Sequence, residues 1–173
     1  MTGTKGKKLG LLVLVLAFFA GAGFLASNLL RANIPDKLLF HDLKGKNVAF
    51  QNFKGKIGTV VIFTATWCTY CREEIKAAKP IFEDNAPRGI QFLMVFQDYD
   101  IGDIRRYRKA TKIPWPVVQK TDYSMKLFDR GEKGLPSTYF VASNGKIVAS
   151  LTGKNSTLHY PEAIDLLFEE HFK

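Results

Sequence analysis

Apolar residues fall along the chain in three patterns, each with its own structural reading. One is continuous: from Leu9 to Leu30 there is no charged residue, and the stretch includes the block LGLLVLVLAFFAGAGFLA. A helix of that length spans ~33 Å at ~1.5 Å per residue, against a hydrocarbon core of ~30 Å, which predicts a transmembrane helix over 9–30. The second pattern is a short apolar run rich in β-formers. Thr59–Thr64 (TVVIFT) and Ile90–Phe96 (IQFLMVF) read as strands covered on both faces. The third is helical spacing. Ile75, Ala78 and Phe82 predict a helix from Cys71 to about Phe82, which Pro80 should kink or end. Ile101, Ile104 and Tyr107 mark the inner face of a charged helix over 100–111. Ile164, Leu167, Phe168 and Phe172 mark that of a final helix beginning at Pro161, a favourable first helical position.

Turn residues join these pieces. Leu38–Leu43 and Val48–Phe50 flank Lys44-Gly45-Lys46-Asn47 as in a hairpin, and Tyr139–Ala142 and Ile147–Leu151 flank Ser143-Asn144-Gly145-Lys146. Asn-Gly suits a turn that needs positive φ. Ile113-Pro114-Trp115-Pro116 is rich in breakers, with Trp115 packed beneath it, and a short helix follows near Tyr123–Phe128. Residues 31–37 read as a tether, leaving 38–173 as one domain. Strand, helix, strand, helix, hairpin and final helix imply an α/β fold: a central sheet, parallel in part, with helices on both faces.

Composition narrows the setting. With 173 residues, 46% of them apolar and 14 of them Phe, the chain can build one core and cannot be disordered throughout. Lys5, Lys7 and Lys8 precede the apolar stretch and only Arg31 stands close behind it, so residues 1–8 are expected to stay in the cytoplasm and the domain to lie outside. A cleaved signal peptide ending near Ala20-Gly21-Ala22 is the competing reading. Against it, Phe24, Leu25, Leu29 and Leu30 continue the apolar run, and both readings export the domain. The net charge of +9 is spread along the chain except at Arg105-Arg106-Tyr107-Arg108-Lys109, which reads as the wet face of a helix. Nucleic acid is not an expected partner.

The chemistry rests on Trp67-Cys68-Thr69-Tyr70-Cys71, at the junction of a buried strand and a helix. Free N–H groups and the dipole at a helix start favour an anion, so a thiolate at Cys68 is stabilised. Cys71 lies one turn further in, near enough to bond Cys68 and better buried. The outer sulfur can attack a partner's disulfide and the inner one can resolve the mixed disulfide. A fixed structural disulfide and a zinc site are the bland alternatives. No second CxxC exists, and His41, His159 and His171 lack ligand spacing. A c-type haem site needs His at position 72, which holds Arg72.

The segment Phe63-Thr64-Ala65-Thr66-Trp67-Cys68-Thr69-Tyr70-Cys71-Arg72-Glu73-Glu74 resembles the active-site stretch of the thioredoxin superfamily, most of all its membrane-tethered TlpA/ResA group. Phe53-Lys54-Gly55-Lys56, Gly134-Leu135-Pro136-Ser137-Thr138 and Asn144-Gly145-Lys146 extend the likeness over roughly 38–170. The resemblance implies a thioredoxin-like fold, a central mixed sheet flanked by helices, preceded by one N-terminal transmembrane helix. It implies a thiol:disulfide oxidoreductase with Cys68 as nucleophile and Cys71 as resolving thiol. Pro136 would be the cis-proline against the pair, and the backbone of Leu135 would pair with a substrate strand. Glu74 would modulate the thiols, unless it is merely a solvated first-turn carboxylate. Trp67 would shape the site and cover the sulfur, and Thr69 and Tyr70 would tune its redox poise.

No cofactor beyond the redox-active Cys68–Cys71 pair and no metal is implied. The resemblance places the protein in a bacterial inner membrane, single-pass, with its domain on the periplasmic or extracellular side. Its clients would be exported proteins with thiols or disulfides, such as apocytochromes c or copper-site proteins. A membrane donor passing electrons outward would recharge it. Three departures stand out: Tyr70 replaces a proline, Ile62 replaces the buried aspartate of thioredoxin, and Lys76 stands where many members have proline. The same two thiols would also serve an oxidant or isomerase of the DsbA type, or a Cu(I) metallochaperone.

Overall fold

The computed structural model describes residues 33–128, 134–154 and 156–173. The basic tail expected over 1–8 and the span expected over 9–30 lie outside the described residues. Among the described residues, no helix is long and apolar enough to cross a membrane.

Among the described residues, seven strands form one mixed sheet. They are β1 (Leu39–His41), β2 (Asn47–Ala49), β3 (Gly58–Thr64), β4 (Ile90–Phe96), β5 (Val117–Gln119), β6 (Ser137–Ala142) and β7 (Ile147–Thr152), in the order β2-β1-β5-β4-β3-β6-β7. The two fully apolar runs are the central parallel pair, in register from Gly58 opposite Ile90 to Thr64 opposite Phe96. β5 continues the parallel part, and β6 runs antiparallel to β3 with Ile62 opposite Thr138. Among the described residues there are four helices: α1 (Thr69–Asn85), α2 (Ile101–Thr111), α3 (Asp122–Phe128) and α4 (Tyr160–His171). Two 3-10 turns, Phe50–Phe53 and Ser156–His159, add to them.

Alternation along the strands divides the core. Val60, Ile62, Phe92, Met94 and Phe140 face one side, where Ile75 and Ala78 of α1, Ile104 of α2 and Ile164 and Leu167 of α4 cover them. Val61, Phe63, Leu93, Val95 and Tyr139 face the other, closed by Phe128 of α3 with Ile34, Leu38, Phe40 and Phe50. The expected helices on both faces are therefore unevenly shared: three pack on one side, and one short helix helps an N-terminal hairpin on the other. Trp115 is fully buried against Phe82 and Phe92, as its place under the Pro-rich loop suggested.

Several local expectations change. Pro80 neither ends nor caps its helix; α1 continues to Asn85. Lys76, whose carbonyl Pro80 cannot serve, and Pro80 itself are both exposed, so this break in the ladder lies on the outer face of α1. Phe50 opens a 3-10 turn rather than extending β2. Phe172 lies past the end of α4 and is 78% exposed, so it is not part of the inner stripe. Ile34, inside the stretch read as a tether, is buried, and its amide donates to the Gly145 carbonyl at 2.7 Å.

Gly145 has φ +87°, and a Cβ there would lie 2.5 Å from the Ile34 carbonyl oxygen. The Asn-Gly turn thus serves both its own conformation and the docking of Ile34. A Cβ on Gly55 would meet the carbonyl oxygens of Gly58 at 2.3 Å and Gly89 at 2.5 Å, which only glycine avoids.

Candidate active site

Parallel strands in α/β sheets deliver their functional loops at the carboxyl ends, and here β3, β4 and β5 converge on one such edge. β3 stops at Thr64, and the chain turns through Ala65 and Thr66 into α1. Asp98, just beyond β4, receives the Thr66 amide at 3.0 Å and the Thr66 hydroxyl. Gln119, at the end of β5, donates to the carbonyls of Asp98 and Tyr99 at 2.8 and 2.9 Å. The loop before the cysteines is thereby tied to the neighbouring strands.

Cys68 is the N-cap residue of α1, extended at φ −83° and ψ 110°, and its Sγ accepts the Cys71 amide at 3.2 Å. A disulfide joins Cys68 to Cys71, whose Cα atoms lie 5.3 Å apart. Cys71 is 1% exposed and Cys68 8%, so the expected ranking holds, although Cys68 shows only an edge rather than standing open.

That edge faces a cleft of about 710 Å³. Phe63, Met125, Phe128, Leu135 and Tyr139 give it an apolar lining, while Trp67, Thr69 and Tyr70 stand at the Cys68 side. Trp67 is 72% exposed and Tyr70 52%, so both project outward at the rim. Leu135 packs on Ala65, Cys68 and Cys71, and the Leu135–Pro136 peptide is cis. Pro136 itself is buried.

Glu74 departs furthest from its bland reading. It is not solvated: it is 3% exposed, and among the described residues only Glu74 and Asp98 are buried carboxylates. The Ser156 hydroxyl, the Tyr160 hydroxyl and the Thr157 amide serve it. Burial nevertheless wins over these donors and pushes its pKa above the usual carboxylate value. Tyr160, fully buried, also hydrogen-bonds the Thr138 hydroxyl at 2.8 Å, and burial together with the Glu74 charge pushes its phenol well upward. Glu74 therefore has its partners on α4 and the preceding 3-10 turn, and not on the sulfurs; Tyr160 carries the network on to Thr138 of β6, two residues past Pro136. Ile62 is in the core, leaving no acid on β3 near the pair.

Sequence reading missed Thr66, Asp98, Gln119, Ser156 and Tyr160. Asp98 had one available signal: it stands two residues past a buried parallel strand, where such sheets place their site loops. Ser156 and Tyr160 had none, because nothing in a sequence links them to Glu74, which stands 82 positions before Ser156.

Residues 31–150 match the family model described as "AhpC/TSA family". The thiol-disulfide oxidoreductase ResA of Bacillus subtilis is 26% identical over 137 residues, covering 79% of this chain and 73% of that protein. The ResA of Bacillus thuringiensis is 24% identical over 116 residues, and that alignment spans 65% of the relative's length and 66% of this chain. A crystal structure of a thioredoxin-family thiol:disulfide interchange protein from Chlorobium tepidum superposes with a TM-score of 0.65 at 24% identity, covering 79% of this chain and 97% of that one. The mixed sheet, the cysteine pair at the start of α1 and the cis Leu135–Pro136 bond thus sit in a thioredoxin-like α/β fold, and the chain belongs to the AhpC/TSA family.

Proposed function

We propose that this protein is a thiol:disulfide oxidoreductase that reduces disulfides in exported client proteins. The observation that carries the reading is the Cys68 sulfur, which receives the Cys71 amide at a helix start and shows one edge to an apolar cleft. In the reduced protein the same amide and the helix dipole would stabilise a Cys68 thiolate, and Arg72 in the first turn adds positive charge.

The exchange then runs in two displacements. The Cys68 thiolate attacks one sulfur of the client disulfide, forming a mixed disulfide and expelling the client's other sulfur as a thiolate. Cys71, having lost its proton, attacks Cys68. This releases the client dithiol and leaves the Cys68–Cys71 disulfide. Two electrons and two protons pass to the client, and a donor dithiol must return them. Ile62 removes the β3 acid that could take the Cys71 proton. Water, or Glu74 three residues further along α1 acting through water, would have to serve as the base.

Trp67, Thr69 and Tyr70 would frame the client at the mouth, and the backbone of Leu135 before Pro136 would pair with its extended chain. The apolar 9–30 stretch behind three lysines supports a membrane anchor with the domain on the outer side of a bacterial inner membrane, recharged by a membrane donor. Apocytochromes c and copper-site proteins are the client types the resemblance suggests.

Equilibrating the protein against glutathione tests the direction. A potential towards ~−270 mV is expected of a reductant, whereas one near ~−120 mV would assign the opposite, oxidising role.

A further inference from the structure

Away from the cysteine cleft, α1 and α2 border a second cavity of about 470 Å³ that, among the described residues, is lined by four cations and no carboxylate. Three of them, Arg72, Lys76 and Lys79, repeat along one stripe of α1, and like charges at that spacing repel. Lys112 faces them from the end of α2, where it adopts a left-handed backbone with φ 49°. The helix dipole accounts for a cation at the end of α2, but not for Arg72 in the first turn of α1. No ion pair joins Arg72, Lys76, Lys79 or Lys112 to a carboxylate among the described residues, and Lys79 donates to the Thr111 carbonyl at 2.9 Å.

A separate observation lies in the same cavity. Tyr107 lines the space, and its hydroxyl is buried with no hydrogen-bond partner among the described residues. Buried hydroxyls are nearly always paired, so an isolated one beside convergent cations marks a place for an acceptor. Arginine, lysine and a phenol all donate, which suits a ligand that only accepts. Ile75 and the Tyr107 ring supply an apolar wall for whatever carries the charge.

We infer that the α1–α2 cleft is a binding site for a phosphate-bearing ligand, held by Arg72, Lys76, Lys79, Lys112 and the Tyr107 hydroxyl. The inference goes beyond the disulfide chemistry and is read out by binding alone, so it stands or falls separately. The phosphate could belong to a soluble organic phosphate or to a lipid headgroup.

The test is calorimetric titration of the oxidised full chain in neutral detergent. Its probes are pyrophosphate, and dihexanoyl phosphatidylglycerol against dihexanoyl phosphatidylcholine. Saturable binding to pyrophosphate assigns a soluble phosphate; binding to the glycerol lipid alone assigns a headgroup. In either case the K76Q/K112Q variant should weaken binding at least about tenfold, and Y107F by roughly threefold. R105Q/R108Q removes the same charge from the outer face of α2 and should leave affinity within about twofold. Absence of saturable binding to every probe overturns the inference, as does an equal loss in R105Q/R108Q, which would reduce the site to diffuse positive charge.

Discussion

The amide nitrogen of Cys71 lies 3.2 Å from the Sγ of Cys68, so the first turn of α1 directs a donor at the sulfur that faces the cleft. This contact needs no other part of the protein, since it follows from placing a cysteine at the N-cap and a second residue three positions on.

After reduction, Cys68 is expected to be alkylated by iodoacetamide at neutral pH several-fold faster than free cysteine, because more of it is thiolate. Cys71, 1% exposed, should react more slowly than Cys68. Peptide mass spectrometry after a timed pulse distinguishes the two. Equal rates would show that the amide does not stabilise the anion.

Glu74 gives a pH dependence with a definite sign. Its pKa is raised from 4.5 in the folded protein, chiefly by burial, so the native state holds the proton more tightly than the unfolded chain. Its contribution to stability is fully present below the unfolded value and is lost as the pH rises through the folded one. Denaturant melts from about pH 4 to about pH 7 should show wild type losing stability relative to Glu74→Gln. Parallel curves would mean that Glu74 is not titrating in its buried position.

Tyr160→Phe removes the hydroxyl that joins Glu74 to Thr138. The ring still fills its place against Phe92 and Phe140, so the cost should be that of buried partners left unsatisfied, about 1–3 kcal/mol in urea melts. Because the Tyr160 hydrogen bond lowers the Glu74 pKa, its loss should move the pH-dependent part of the stability curve upward. An unchanged curve would break the link between the two groups.

Asp98→Ala releases the Thr66 amide and hydroxyl. The expected result is a loss of about 1–3 kcal/mol together with slower reduction of a model disulfide such as insulin, while the Cys68–Cys71 bond still forms on oxidation. Destabilisation with no change in turnover would leave Asp98 a purely structural residue.

What the sequence disclosed, and what it did not, follows from the range of the interactions involved. The central strands were legible because Thr59–Thr64 and Ile90–Phe96 are apolar on both faces, and Ile90–Phe96 matches β4 residue for residue. The cysteine pair and its helix start were legible because a CxxC directly after a buried strand is a local signature, whereas the role of Pro136 came only from the family resemblance. β5 was not: its three residues sit between a proline-rich loop and a short helix, too few for a period to show. Pro80 misled because its helix-breaking effect depends on whether the freed carbonyl reaches water, which is set by the face it occupies. Glu74 looked like any acid near a helix start; its burial comes from Ser156 and Tyr160, which only the fold brings to it. The cations around Tyr107 read as the wet face of a helix, and Tyr107 itself as part of its inner face. That holds for the exposed Arg105, Arg106, Arg108 and Lys109, while Tyr107 turns inward to the α1–α2 cleft.

The assignment of Cys68 as attacking sulfur and Cys71 as resolving sulfur is tested most directly by Cys71→Ala in the full chain, reduced and then exposed to a disulfide-bonded client. Without the inner thiol the first displacement should proceed and the second should not, so a mixed disulfide through Cys68 should accumulate and be seen as a covalent adduct on non-reducing gels and by mass spectrometry. If no adduct forms under conditions in which the wild type reduces the same client, the account of this site is contradicted.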